Sequence, residues 1–381
     1  MEFSPDICRD LVNPRWIGRR VAVAMSGGVD SSVTAVLLAK AGCDVVGFTM
    51  KLWDYSAVGG DDLRDGRCCT VEAFSRCRAV GDQYEFPHYT LDFTGPFKTQ
   101  VIDYFISEYR SGRTPNPCIV CNSKVKWPVL WEKVSALGCD AIATGHYAIL
   151  KPEAGGSVSL HRGADVDRDQ SYFLWDVPRA HLARTIFPLG TLQKSTVRAM
   201  AREWGLSTAE TPESRDICFV ANGDLGHFLR EQSERDGSVS TAGPILNRDG
   251  EEVGRHAGFD SMTIGQRRGL GVAIGRPQYV VAINPEDASV TIGDDADLYH
   301  RRCRIANVNW FTPPPTDDRA VSVQIRYLHA AAPAHVNIES DGTACICFND
   351  PQRAITPGQS AVIYDRDQVL GGGIIESVAH D

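Results

Sequence analysis

The apolar run "VAVA" at 21–24 breaks into "MSGGVDSSV" at 25–33, and helically spaced apolar residues resume at once through "DSSVTAVLLAKA". Few folds place glycines and hydroxyls between a buried strand and a helix in this way. Residues 21–25 read as a strand, 30–41 as a helix closed by Gly42, and "CDVVGFTM" at 43–50 as the next strand. Helical patterns recur at 71–82, 97–110 and 128–137, with "FPHYTLD" as a strand edge and "DAIATGH" at 140–146 as a strand ending in glycine. Strands alternating with helices predict a doubly wound α/β domain, a parallel sheet covered on both faces, running to about residue 220.

The turn itself has a chemistry. Gly27 and Gly28 let the backbone approach an oxyanion, Ser26, Ser31 and Ser32 carry hydroxyls, and a helix N-terminus offers unpaired N–H groups to a phosphate. Asp30, in the first helical turn, can cap amides or help hold a cation accompanying that phosphate. The same residues also make an ordinary tight strand–helix turn. Neither the GxGxxG of a dinucleotide fold nor the GxxxxGK[ST] of a P-loop is present here.

With 381 residues, 43% hydrophobic and 23% charged, the chain has material for two or three domains and a sizeable core. No segment has membrane-spanning length and the first residues carry no apolar signal segment, so a cytoplasmic protein without membrane partners is expected. Twelve cysteines are out of place as a disulfide scaffold there. The net charge of −9 argues against non-specific nucleic-acid binding and leaves room for local basic patches.

A second cluster lies in "SGRTPNPCIVCNSKVKW" at 111–127. The prolines stiffen a loop, and Cys118 and Cys121 are three apart, which places both on one side of a helical turn. Lys124 and Lys126 follow, favouring thiolate and attracting phosphate. A lone CxxC can be a redox pair, half of a zinc site, or coincidence. Cys218 stands far away in "SRDICFV".

"SGGVDSS" resembles the pyrophosphate loop of the ATP pyrophosphatase superfamily. Over nearly its full length the chain is similar to the bacterial tRNA-specific 2-thiouridylases, the MnmA family. The resemblance is carried by "KLWD", "GRTPNPCIVCNSKVKW", "ATGHYA", "RDQSYFLW", "PLGTLQKSTVRAMA", "SRDICFV", "TIGQRRGLG" and "TPGQSAVIYD". It implies an adenine-nucleotide alpha-hydrolase-like domain over 1–222, a small central β-containing domain over 223–293 and a C-terminal β-barrel over 294–381. It also implies 2-thiolation of wobble uridine 34 in tRNAs for Lys, Glu and Gln, using ATP and Mg²⁺. Ala24, Met25, Ser26, Gly27, Gly28, Val29, Asp30, Ser31 and Ser32 would hold the phosphates, with Met50 and Gly145 on the adenine side. Cys121 would carry a persulfide and Cys218 would release its sulfur. A cysteine desulfurase, with or without sulfur-relay proteins, would recharge Cys121.

The tRNA side is assigned to patches. Lys124 and Lys126 lie beside Trp127 as a possible stacking ring, Arg267 and Arg268 occupy the glycine-flanked "GQRRGLG", and Arg301, Arg302 and Arg304 form a further cluster. Arg326 and Tyr327 lie in a strand-like "VSVQIRYL". Each patch also reads as a solvated face; together they fit phosphate anchoring combined with capture of an unstacked base. The resemblance adds Asn116, Pro117, Cys118, His146, Arg168, Asp169, Gln170 and Gln359.

Two departures from the family stand out. Cys118 occupies the place where many relatives carry aspartate, and "RCC" at 67–69 adds two thiols. Cys118 opens a second route, a [4Fe–4S] cluster on Cys118, Cys121 and Cys218 with one open iron. A different ATP-activating ligase of the superfamily, or an RNA-binding or sulfur-carrier protein without catalysis, are the other readings. Residues 151–169 read as a hairpin or insertion and 191–204 as an amphipathic helix. The segments "GFDSMTIGQRRG", "QYVVAINP", "SVTIG", "CRIANVNW", "AHVNIES", "ACICFND" and "SAVIYD" read as short strands of β-rich modules. Cys345 and Cys347 share one side of such a strand and are assigned no chemistry.

Overall fold

The buried "VAVA" forms the centre of a sheet. A computed structural model describes residues 3–53, 70–212, 216–220, 223–238, 240–272, 275–315 and 319–379. Cys68 and Cys69 lie outside them. The chain divides into two units: Met1–Val101, Cys118–Phe219 and Asp367–Val369 in the first, and Ile102–Pro117, Val220–Arg366 and Leu370–Asp381 in the second.

In the first unit the strands are β1 (Arg20–Ala24), β2 (Asp44–Lys51), β3 (His88–Asp92) and β4 (Ala141–Ala143). A hairpin of β5 (Ala148–Pro152) and β6 (Val158–Arg162) precedes β7 (Thr185–Ile186). Strands β3-β2-β1-β4-β7 form one sheet in that order, every pairing parallel. The order reverses between β1 and β4, where the strand ends leave a crevice for ligands. Val21 and Val23 of β1 and Val33, Val36 and Leu37 of the helix Val29–Ala41 share the unit's main core. That helix is apolar nearly all round because it is covered on several sides; Gly42 closes it at φ 95°, a conformation that favours glycine. The helix Lys194–Glu203 is amphipathic and adds Val197, Met200 and Ala201 to the same core.

The second unit holds two β modules. The first is a four-stranded sheet of β8 (Gly243–Leu246), β9 (Glu252–His256), β10 (Tyr279–Asn284) and β11 (Ser289–Gly293), ordered β10-β11-β8-β9. Its core includes Ile245, Phe259, Val280, Val290 and Ile292. The second consists of β12 (Tyr299–Trp310), β13 (Val321–Gln324), β14 (Ala332–Ile338), β15 (Ala344–Arg353), β16 (Ser360–Asp365) and β17 (Gln368–Ala379). They run β12-β15-β14-β13-β16-β17, and pairing of β12 with β17 closes an antiparallel barrel, which removes exposed edges. In this unit the helix Asp103–Arg110 meets the helix Leu225–Asp236: Phe105 lies edge-on to Phe228 at 6.3 Å, and Arg110 donates to Asp236 at 2.9 Å.

The architecture is the expected one: a parallel-sheet domain, a small central module and a C-terminal barrel. Three local readings are corrected. "GFDSMTIGQRRG" forms no strand; a short helical turn, Phe259–Ser261, gives way to a loop with Gly265 and Gly269 at positive φ. Arg326 and Tyr327 follow β13 rather than lying in it. The helix Leu225–Asp236 and strands β8, β9 and β17 were missed, because short or glycine-rich runs such as "VLGGGII" carry little periodic signal.

Candidate active site at the carboxyl end of the parallel sheet

The turn after β1 runs directly into the helix Val29–Ala41. Gly27 takes φ 75°, and a Cβ there would stand 2.8 Å from the Ala73 backbone. Gly28 is the N-cap and contributes no side chain, so no N-cap side chain occupies the first N–H groups of the helix. The hydroxyls divide in two. Ser31 and Ser32 are buried and donate back to the Gly28 carbonyl at 3.1 and 3.0 Å, which stiffens the turn, whereas Ser26 is exposed. Met25 and Met50 are both buried, at 2% and 9% exposure, and Met25 donates its N–H to the Phe48 carbonyl at 2.8 Å. Ala24 and Val29 are buried on either side of the turn.

Asp30 caps no amide. Its carboxylate accepts from Lys194 Nζ at 2.6 and 2.7 Å and from the Tyr147 hydroxyl at 2.8 Å. Lys194 was not singled out in the sequence. It is placed because the Asp165 carboxylate accepts its backbone N–H at 2.8 Å, so Asp165 caps the helix that Lys194 begins. The expected signal, a lysine at the first position of an amphipathic helix, was visible; its partner was 164 residues away.

Gly145 follows β4. A Cβ on it would stand 2.8 Å from the Asp30 backbone carbon and 3.0 Å from the Ser31 nitrogen. This glycine lets the loop after β4 lie against the turn that follows β1. His146 is next, its Nδ1 bonded to the Thr144 hydroxyl at 2.7 Å and its ring 5.7 Å from Trp127 and 5.8 Å from Phe187. Burial, and then the nearby Lys126 charge, hold its pKa well below the usual histidine value, so the imidazole is neutral near pH 7.

Cys118 lies in the short helix Pro117–Val120, and Cys121 opens a wider π-helical turn, Cys121–Lys126, sealed by Trp127 N–H to Asn122 carbonyl at 3.2 Å. Such widened turns are frequent at functional sites. Cys118 is exposed; Cys121 and Cys218 are half-buried. Asn122 ties the turn to the Phe173 carbonyl at 3.0 Å and accepts from Lys126 at 2.8 Å, while Lys124 is exposed. Phe219 packs edge-on against Phe97 at 5.8 Å and anchors the chain beside Cys218. Trp127 is a correction: it is fully buried, donates to Thr185 at 2.7 Å, and offers no stacking face to a base. Asp176 was also missed. Burial raises its carboxyl pKa, partly offset by the charge of Lys124.

Other expected contacts have structural duties. Asp169 is buried, accepting from Arg162 at 2.7 Å, from the Gly163 and Ser171 N–H groups at 3.0 Å each, and from the Ser171 hydroxyl at 2.9 Å. Gln170 accepts from the Tyr147 N–H at 3.1 Å, and Arg168 is half-buried. Within the second unit, Gln359 donates to the Thr114 carbonyl at 2.8 Å, two residues before Asn116 and the buried Pro117. Arg326 donates to the Arg353 carbonyl at 3.0 Å, with half-buried Tyr327 beside it. Arg267 and Arg268 are exposed.

Among the described residues, no group of three His, Cys, Asp or Glu is arranged to hold a metal ion.

A profile described as "tRNA methyl transferase HUP domain" matches residues 19–222, one described as "tRNA methyl transferase PRC-barrel domain" matches 228–294, and one described as "Aminomethyltransferase beta-barrel domain" matches 300–375. The "tRNA-specific 2-thiouridylase MnmA" of Salinibacter ruber is 44% identical over 362 residues, covering 94% of each chain. The chain belongs to the MnmA family. MnmA proteins of Magnetococcus marinus and Symbiobacterium thermophilum agree, at 43% and 42% identity over 94% and 95% of this chain and 99% and 93% of theirs. No described helix is long and apolar enough to cross a membrane.

Proposed function

We propose that this chain is a tRNA-uridine 2-sulfurtransferase that thiolates wobble uridine 34 in tRNAs for Lys, Glu and Gln. The observation that carries the proposal is the 44% identity to a named 2-thiouridylase over 94% of both chains. The glycine turn held against Gly145 and the Asp30–Lys194 pair supports it. The domain descriptions speak of methyl transfer, but methyl transfer has no use for a glycine turn at a helix N-terminus, an arrangement that suits phosphate. A nucleotide-activating reaction does.

The chemistry answers one difficulty: the C2 oxygen of uridine is a poor leaving group. MgATP enters as substrate. The turn 26–32 holds its phosphates through backbone N–H groups at the helix N-terminus, and Lys194 supplies the positive charge that developing pyrophosphate requires. Transfer of AMP to the C2 oxygen makes that oxygen a good leaving group. The terminal sulfur of a Cys121 persulfide then attacks C2, forming the C–S bond as AMP leaves. Cys218, as thiolate, attacks Cys121 Sγ; the S–S bond breaks, 2-thiouridine departs, and a Cys121–Cys218 disulfide remains for a thiol reductant. His146, neutral and fixed by Thr144, can accept a hydrogen bond from the base. Lys124, Lys126, Arg168, Arg267, Arg268 and the residues around Asn116, Tyr327 and Gln359 would contact tRNA. Asp169 and Arg326 would act there by holding their loops.

A cysteine desulfurase, directly or through relay proteins, would provide the sulfane sulfur. The persulfide route is the reading adopted because it needs only the two thiols Cys121 and Cys218 and a thiol reductant. Nucleoside mass analysis of tRNA treated with the protein, MgATP and a persulfide donor tests the reading. The expected product is 2-thiouridine at position 34. Thiolation elsewhere, or AMP release with no thionucleoside, overturns it.

A further inference from the structure

Two thiols stand side by side on the outside of the barrel. In β15, Ala344, Ile346 and Phe348 are buried in the barrel core, so the alternating Cys345 and Cys347 point to its outer face. Their sulfur atoms lie 4.0 Å apart and both residues are half-buried. The register fixes their neighbours. Arg304 and Arg302 of β12 lie opposite Cys345 and Cys347, and Asn337 and His335 of β14 lie opposite them on the other side. The buried Cys303 points inward and takes no part.

A disulfide fits the pair poorly. Residues two apart on a strand have Cα atoms separated by about 6.7 Å. That is the outer limit for a relaxed disulfide, about 6.8 Å. A metal bridge fits better: at the zinc–sulfur distance of about 2.3 Å and the tetrahedral angle two bridged sulfurs stand about 3.8 Å apart, and a larger soft ion widens that spacing.

We propose that Cys345 and Cys347 form a two-thiolate site for a soft, thiophilic cation such as Cu⁺ or Cd²⁺. Softness follows from the donors, since thiolates select such ions over hard ones. No third His, Cys, Asp or Glu joins the pair among the described residues, so the site takes an ion content with two thiolates, completed by water or an external ligand. A cation between the sulfurs removes their mutual repulsion and displaces their protons, so binding strengthens as pH rises.

Cd²⁺ is the probe, added to the reduced full chain under anaerobic conditions. The charge-transfer absorbance of cadmium thiolate is followed in the parent and in C345S/C347S. The double variant is expected to bind one equivalent fewer than the parent, with an unchanged thermal midpoint and unchanged tRNA thiolation. A second measurement needs no variant: saturating Cd²⁺ should slow alkylation of Cys345 and Cys347 at least about tenfold, read by peptide mass. Equal cadmium stoichiometry in parent and a folded double variant overturns the proposal, as does alkylation of the pair at an unchanged rate.

Discussion

Lys194 Nζ lies 2.6 and 2.7 Å from the two carboxylate oxygens of Asp30, at the mouth of the turn that follows the first strand. The lysine side chain is 11% exposed and the aspartate 31%, so this pair is only partly screened by water. Asp30 thereby holds Lys194 over the turn. Lys194→Ala is expected to lower ATP-dependent AMP formation by about 100-fold. Sulfur loading of Cys121 should be unaffected. AMP release and persulfide content of one preparation check both.

Asp30→Ala removes the holding group and leaves the lysine unpaired. It should cripple adenylation while Cys121 still accepts sulfur. Combined with Lys194→Ala it should cost little more than either change alone, because both disable one pair. Fully additive losses in AMP formation would show two independent roles.

Gly145→Ala puts a methyl group 2.8 Å from the Asp30 backbone, where no flexible side chain can yield. A loss of about 1–3 kcal/mol in unfolding free energy is expected. AMP formation should fall with it. Urea denaturation and the adenylation assay read the two effects. Gly138→Ala is a poor control because Gly138 has φ 79°, but Gly95→Ala meets no atom within 4 Å and should leave adenylation unchanged.

His146 titrates below its ordinary value in the folded chain, chiefly through burial. The unfolded chain therefore binds the proton first as pH falls through about 6.5. Stability is present above that pH and declines below it, until the folded-state pKa is reached. His146→Gln should flatten the dependence of the urea midpoint on pH in this window. Lys126→Met should raise the His146 pKa, read by NMR titration of the ring. An unshifted ring resonance would remove Lys126 as a cause.

Cys121→Ser should abolish thiolation. Cys218→Ser should block multiple turnover when no reductant is added, since nothing else then releases the sulfur. A strong reductant can liberate the sulfur and mask the loss. Cys118→Ser should retain thiolation, and anaerobically purified protein free of iron should thiolate tRNA at full rate. Joint loss of iron and activity on replacing Cys118 would favour the cluster route instead.

The strand–turn–helix at 21–41 was legible because it is local: burial periodicity, glycine and helix termination lie within one stretch of chain. The parallel sheet followed from patterns in the chain, and the barrel from the resemblance. Trp127 was misread as a surface ring because a lone aromatic carries no label of inside or outside. Its burial is settled by Thr185, 58 residues on.

The sequence by itself determined the strand–turn–helix at 21–41 and the apolar residues that bury its core, since those depend on residue type and short spacing. Tertiary structure alone decided that Asp30 pairs with Lys194 instead of capping its own helix, and that Gly145 is a contact rather than only a turn. It likewise decided that Cys345 and Cys347 stand 4.0 Å apart on an outer face. The reason is physical: partners distant in the chain meet only after β1, β4 and the Lys194–Glu203 helix have packed, and no local pattern encodes the distance between them.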